Sequence, residues 1–398
     1  MSLDSNFKYG AVFLLMALWP GFLLDWSLEW VLVITTTLFG AYLFLKNMEA
    51  RINSINVIIF LASLLVVEAT FSHLYSQFYG KFNTGTRDYV DLVKPLFLVF
   101  SCLMPFRLGF YERDVVANSS IIILIYSLFA YFSIKLNVPI FSEVFNYIYS
   151  DTKLQLTEFT TRLTVPFENP NFLGFFAILS LHLALFSNAK HKIILAILAI
   201  IVVGLTGSRT AWVTGIIILF AYYVKGLVFH GFRGRSRLVA LMIILVSGLA
   251  VSAEYFVDFI DDYQRLANLY DALINRDLSR DSSYGDRVEL RLGALKLIQE
   301  RPFFGHGAVK YSGFDVVDNQ YYGIVLRYGF FGASLIFTAF ALYLFALFKR
   351  ITNVDQAYGL FIYFLIVLAW LWAGNFIENI RLSVLLIYFL SALTYEKQ

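Results

Sequence analysis

Arg209 is the only charged side chain between Lys192 and Lys225, inside Ile-Val-Val-Gly-Leu-Thr-Gly-Ser-Arg-Thr-Ala-Trp-Val-Thr-Gly. A guanidinium at membrane depth costs at least ~2.5 kcal/mol, so it demands a partner or a task. Arg also grips phosphate through two parallel hydrogen bonds. Arg209 therefore reads as a diphosphate ligand. Arg287 and Arg291 are spaced i, i+4, which puts both on one face of a helix expected over 285–299. They converge with Arg209 on one anion if their segment folds back over it. Their blander use is pairing with Asp286, Glu289 or Glu300.

Three further groups have suitable chemistry. Asp318, in Asp315-Val-Val-Asp318-Asn319-Gln320-Tyr321-Tyr322, is a carboxylate placed to act as a general base on a sugar hydroxyl. Spacing alone favours a plainer role, with Asp318 or Asn319 capping the next helix. Arg162 and Glu168 either line a cavity or pair to fix their loop. Asn169-Pro170-Asn171 breaks the chain and starts a helix. Metal chemistry is not expected. His73, His182, His191, His230 and His306 are isolated, and Asp261–Asp262 and Asp277/Asp281 are incomplete ligand sets. There is no phosphate loop, dinucleotide fingerprint or Ser-His-Asp arrangement. The cluster Arg233-Gly-Arg235-Ser-Arg237 reads as a topology signal, so no nucleic-acid partner and no cofactor are expected.

The elements that must position these residues are membrane helices. Of 398 residues, 59% are hydrophobic, 18% aromatic and 15% charged, with mean hydropathy +0.70. Soluble domains carry about 25% charged residues, and a run near 20 apolar residues spans the hydrocarbon core. The single cysteine, Cys102, excludes an internal disulfide. The first apolar run has no small-residue cleavage site and reads as a span. The expected fold is all-α, one membrane domain over 1–398 with about twelve transmembrane helices. They fall near 9–26, 29–46, 54–71, 94–111, 117–135, 170–188, 191–207, 210–229, 238–256, 320–347, 355–373 and 378–395.

One set of short connections holds Lys46, Arg51, Arg107, Arg113, Lys190, Lys192, Lys225, Arg233, Arg235, Arg237, Lys349 and Arg350. The positive-inside rule puts that set, and both termini, in the cytoplasm. Segments 72–93, 136–169 and 257–319 then lie outside. The last is a large, partly helical loop between the ninth and tenth spans. Arg209 falls at the tip between the seventh and eighth spans, which softens the membrane-depth cost.

The ordered motifs resemble the O-antigen ligase and polymerase superfamily of bacterial envelope glycosyltransferases. They are Arg162 through Glu168-Asn169-Pro170-Asn171-Phe-Leu-Gly, Thr206-Gly-Ser-Arg209-Thr-Ala, Gly285-Asp-Arg287 through Ala294, and Pro302-Phe-Phe-Gly305-His-Gly307. The last run is Asp318-Asn319-Gln-Tyr321-Tyr through Arg327-Tyr-Gly329-Phe-Phe-Gly332. Together they cover about 160–332; the first five helices match only as generic spans.

The resemblance implies a GT-C-like membrane fold and a glycan carried on undecaprenyl diphosphate, as both donor and acceptor. It implies diphosphate contacts from Arg209 and Arg287, with Arg291 in support. Arg162, Asn171, Asn319, Tyr321 and Tyr322 become substrate-binding candidates, and Asp318 a catalytic one. Ligases typically bear His-Asn where this chain has Asp318-Asn319, which leans toward a Wzy-type polymerase. The reaction would be inverting and metal-independent, at the periplasmic face of the bacterial inner membrane, among membrane lipids. A chain-length regulator is an open further partner. The O-antigen ligase, or a protein glycan ligase, is the alternative within the enzyme class. A lipid-linked oligosaccharide flippase is the alternative outside it.

Overall fold

The computed structural model describes residues 10, 13–14, 17–18, 22–23, 26–27, 54–79, 92, 94–97, 113–149, 156–157, 160–167, 169–229, 282–307, 319–349, 351, 353–373 and 380–394. These residues are predominantly helical. The helices are α1 (Ser54–Phe78), α2 (Arg113–Lys135), α3 (Phe141–Tyr149), α4 (Pro170–Phe186), α5 (Lys192–Thr206), α6 (Arg209–Phe229), α7 (Ser282–Glu300), α8 (Gln320–Phe348), α9 (Val354–Ala373) and α10 (Ile380–Thr394). Two antiparallel pairs of two-residue strands accompany them: β1 (Phe22–Leu23) with β2 (Trp26–Ser27), and β3 (Leu156–Thr157) with β4 (Thr160–Thr161). Among the described residues, α1, α2, α6, α8 and α9 are long and apolar enough to cross a membrane, and α4, α5 and α10 are shorter apolar helices. The chain is a multi-pass membrane protein.

Eight of these helices coincide with expected spans, and α7 coincides with the helix expected over 285–299. The expected spans 29–46 and 238–256 lie outside the described residues, as does 94–111 beyond residue 97. Two expectations need correction. The span 9–26 does not run to Trp26, because β1 and β2 occupy its last part. Pro20-Gly21 is a helix-ending pair in the sequence. The segment 72–93 is not all loop. α1 runs on to Phe78, with Ser72, His73 and Ser76 buried against the rest of the protein rather than solvated. The segment 136–169 carries α3 and the β3–β4 pair.

Helix direction follows from pairs of contacts. Trp370 Nε1 donates to Thr214 Oγ1 at 3.0 Å and Tyr358 OH to the Ala221 carbonyl at 3.1 Å, so α6 and α9 are antiparallel. Tyr321 OH donates to the Leu368 carbonyl at 3.0 Å, which sets the start of α8 beside the last part of α9. Phe175, one turn into α4, packs 4.9 Å from Trp370. Tyr363 OH reaches the Leu386 carbonyl at 2.6 Å, joining α9 to α10. The N-termini of α4, α6, α8 and α10 and the C-terminus of α9 therefore gather at one end.

The other end gathers charge. The Lys190 N–H donates to Asp114 Oδ1 at 2.9 Å, and Lys225 Nζ lies 3.5 Å from Asp355 Oδ2. Arg113, Lys190, Lys192, Lys225 and Lys349 thus share an end, as their common sidedness requires. Between the ends the core is aliphatic and aromatic, with Trp370, Tyr363, Phe175, Phe176 and Phe389 fully buried.

Candidate functional site

At the end where the helix N-termini meet, α4 docks into the elbow between α5 and α6. Asn169 caps α4: its side chain accepts the Asn171 N–H at 2.8 Å, with Pro170 at the first helical position. That explains locally why the Asn-Pro-Asn run starts a helix. One turn on, Gly174 lies against the elbow. A Cβ there would sit 3.0 Å from Ala211 Cβ and 3.3 Å from Ser208 Cβ. The missing side chain lets the two backbones approach.

The elbow is closed by its own polar groups. Gly207 ends α5 in the left-handed region at φ 57°, a conformation that favours glycine. Thr206 Oγ1 donates to the Val203 carbonyl at 2.8 Å and accepts the Ser208 N–H at 3.3 Å. Ser208 Oγ accepts the Ala211 N–H at 3.4 Å, which makes Ser208 the cap and Arg209 the first residue of α6. Arg162 Nε donates to the Thr206 carbonyl at 2.9 Å, and the Leu163 N–H to the Leu205 carbonyl at 3.0 Å. Arg162 is thus an anchor for the elbow. Glu168, its expected partner, lies outside the described residues, as do the side chains of Arg209 and Arg287 and the whole of Asp318.

α8 begins across α9 from the elbow. Asn319 is the cap: its Oδ1 accepts the Tyr321 and Tyr322 N–H groups at 3.0 and 3.4 Å. Of the two expected caps, Asn319 fills the role. Its amide nitrogen is buried and has no hydrogen-bond partner among the described residues. Arg291, half-buried on α7, places its guanidinium 5.2 Å from the centre of the Trp372 ring. Trp372 lies 6.3 Å from the Tyr321 ring. Arg291, Tyr321, Tyr322 and Asn319 are therefore neighbours, and Trp372 joins them although spacing alone gave no sign of it. Arg287 lies one turn before Arg291 on the same helix. Asn171 stands in the first turn of α4 at the elbow.

The run after α7 holds the start of α8 in place. Phe330 and Phe331 donate backbone N–H groups to the carbonyls of Pro302 and Phe303 at 2.8 and 3.1 Å, while His306 and Gly307 donate to those of Leu326 and Arg327 at 2.9 and 2.8 Å. These bonds straddle a break in α8 at Gly329, whose φ is 61° and ψ −174°. Broken helices at membrane depth survive where the protein itself satisfies the freed backbone. α1 closes the junction: Ser72 Oγ donates to the Phe304 carbonyl at 2.6 Å and Ser76 Oγ to the His306 carbonyl at 2.8 Å. Arg301 donates to Ser76 Oγ at 3.1 Å and lies over the Tyr75 ring.

Two buried charged residues went unremarked as site candidates in the sequence. Arg381 Nη1 donates to the Pro166 carbonyl at 3.0 Å, pinning the start of α10 to the loop before α4. Glu68 Oε1 lies 3.1 Å from Ser72 Oγ, and Glu68 abuts Gly332 just past the break. A lone ionisable residue in an apolar helix was the available signal for both.

Residues 194–337 match the protein family described as O-antigen ligase. No curated protein matches the chain. The family match supports the resemblance to the O-antigen ligase and polymerase superfamily. It takes in Arg209, Arg287, Arg291, Asp318, Asn319, Tyr321 and Tyr322, and leaves Arg162 and Asn171 outside.

Proposed function

We propose that this membrane protein, whose residues 194–337 carry an O-antigen ligase family domain, is a glycosyltransferase that polymerises glycan repeat units linked to undecaprenyl diphosphate. The observation that carries the reading is the gathering of α4, α6, α8 and α10 by their N-termini at one end, with Arg209 opening α6 and Asn319 opening α8. Each N-terminus presents roughly half a positive charge. Together with Arg209, Arg287 and Arg291 they favour a diphosphate there.

The chemistry suits such an end. The acceptor hydroxyl oxygen attacks the anomeric carbon of the donor sugar, and the bond from that carbon to the diphosphate oxygen breaks on the opposite face. Fixed guanidiniums and helix N–H groups stabilise the charge that develops on the leaving diphosphate. Asp318, next to the capping Asn319, takes the hydroxyl proton. The configuration inverts, and no nucleotide sugar is required. The basic loops at the far end support a reacting end at the periplasmic face of the inner membrane.

The O-antigen ligase is the second reading, favoured by the description of the matched family. Asp318-Asn319, in place of the ligase pair His-Asn, favours the polymerase. A deletion strain separates the two. Loss of a polymerase leaves single repeats on lipid A-core, and loss of a ligase leaves long chains on the carrier. Unaltered surface glycan and unaltered carrier-linked glycan in that strain would rule out both.

A further inference from the structure

α8 turns back on itself at Gly329. The Tyr321 and Phe337 rings lie 6.3 Å apart, although a straight helix would hold those two positions about 24 Å apart. The outgoing arm, before Gly329, and the returning arm, after it, both lie against α1. Leu65 and Ala69 of α1 pack with Ile324 and Tyr328 of the first arm and with Ala333 of the second. Glu68 sits within that contact. It is buried, and its Oε2 would lie 3.0 Å from a Cβ placed on Gly332. One turn on, Ser72 reaches the 302–307 run. Glu68 thus stands where α1, the returning arm and that run meet.

The hydrogen bonds at this meeting point do not close around a charged carboxylate. Ser72 Oγ lies 2.6 Å from the Phe304 carbonyl and 3.1 Å from Glu68 Oε1. A hydroxyl carries one proton, and a carbonyl can only accept. At 2.6 Å the carbonyl takes that proton. Were it given to Glu68, Ser72 Oγ and the carbonyl oxygen would face each other with nothing between them. The 3.1 Å contact then needs a proton from the carboxyl side. Glu68 Oε2 has no hydrogen-bond partner among the described residues. The ionisable groups around it are turned to other partners or to the groove. On α1, His73 bonds to Gln77, and Tyr75 lies under Arg301, which donates to Ser76 two turns beyond Glu68. In the 302–307 run, His306 Nε2 contacts the Leu297 carbonyl. Lys94, Arg327 and Tyr328 line the apolar groove beside Leu65. An unpaired carboxylate against apolar walls costs several kcal/mol.

We propose that Glu68 is a positioning residue that works as a neutral acid, donating its carboxyl proton to Ser72 Oγ while Ser72 donates its own to the Phe304 carbonyl. This relay latches α1 and the returning arm to the 302–307 run. The same run bonds to the outgoing arm at Leu326 and Arg327, so the latch fixes the arm that begins at Asn319. Its use in the reaction rests on the glycan-transfer reading. Loss of the proton leaves an anion against Gly332, with Glu68 and the Phe304 carbonyl competing for one hydroxyl proton. The latch is closed while the proton is kept and is lost as pH rises.

The test uses full-length protein in nanodiscs. At neutral pH the infrared difference between wild type and Glu68→Gln should contain the C=O band of a protonated carboxylic acid. Ser72→Ala should move that band to higher frequency, because the carboxyl loses its acceptor. A difference that holds only carboxylate bands overturns the proposal, and so does an unmoved band in Ser72→Ala. Glu68→Gln keeps a donor toward Ser72 and has no acid proton to lose. The wild-type Tm should therefore fall more steeply with rising pH than that of Glu68→Gln, and parallel profiles overturn the latch. Should Glu68→Gln fail to fold, the band position in wild type and Ser72→Ala decides. Glycan transfer should be lowered by Glu68→Ala and recovered by Glu68→Gln, and equal losses in both overturn positioning by the neutral acid. If the wild-type protein transfers no glycan, the glycan-transfer reading fails, and the infrared and Tm measurements still judge the latch.

Discussion

The α5–α6 elbow and the α7–α8 junction both hold a candidate site segment at the same end of the bundle, and they are built in opposite ways. The elbow is local. Thr206, Gly207 and Ser208 close it through bonds no longer than a turn of chain, and Arg162 adds one tether. The junction is long-range. Residues 302–307 bond to a broken α8 about 25 residues later and to α1 more than 200 residues earlier. The elbow needs one left-handed glycine with a movable neighbour. The junction has Gly305, Gly307 and Gly329 at positive φ, each facing backbone. An arginine at the start of α6 is thus held by its own helix end, while the Asn319 region depends on three separated segments meeting.

The largest effect should come from Gly329→Ala. Its Cβ would overlap the Phe303 carbonyl in a conformation that L residues rarely adopt. Strain and overlap together should remove about 3 kcal/mol or more. Thermal unfolding of the purified protein should show this as a steep loss of Tm, and a Tm near wild type would mean the break in α8 is not required. Gly207→Ala at the elbow should cost about 1 kcal/mol, because its nearest neighbour is the flexible Arg162 side chain at 3.3 Å. If Gly207→Ala matched Gly329→Ala, the contrast between a yielding and an unyielding neighbour would collapse.

Asn319→Ala should cost about 1 kcal/mol through the lost cap, while Asn319→Asp keeps the cap and loses only the buried amide donor. Glycan transfer by Asn319→Asp, compared at equal protein level, then tells whether that donor touches substrate. The smallest effect, about 0.5 kcal/mol, is expected for Ser208→Ala, because its cap bond is long at 3.4 Å. A larger loss would show that the elbow is less self-sufficient than its local bonds imply.

What was legible in the sequence follows the same division. Helix ends written by local chemistry were readable. Asn169-Pro170 starts α4, Asn319 caps α8, and Thr-Gly-Ser separates α5 from α6. The alternation of basic loops was readable as well, and the described lysines share one end. The break at Gly329 was not, because a glycine inside an apolar run reads as a tolerated helix residue until Pro302 and Phe303 are seen to bond across it. The run of α1 past residue 71 was hidden for a related reason. Ser72, His73 and Ser76 look like loop polarity, and only the carbonyls of Phe304 and His306 show what they satisfy. Trp372 was not legible either, because its contact with the Arg291 guanidinium joins two helices about 80 residues apart. Arg162 reads as lining a cavity or pairing with Glu168, and its bond to the Thr206 carbonyl, 44 residues away in sequence, was not legible.

The most direct test of glycan transfer at this end is elongation of undecaprenyl-diphosphate-linked repeats by purified protein in proteoliposomes without a membrane potential. Wild-type protein should lengthen the chains. Arg209→Ala should abolish the activity at a near-normal protein level, and Arg209→Lys should recover little of it, because lysine offers a point charge in place of the paired guanidinium donors. Full activity in Arg209→Lys would contradict paired diphosphate recognition by Arg209. Full activity in Arg209→Ala would contradict placing the reaction at the α6 end altogether.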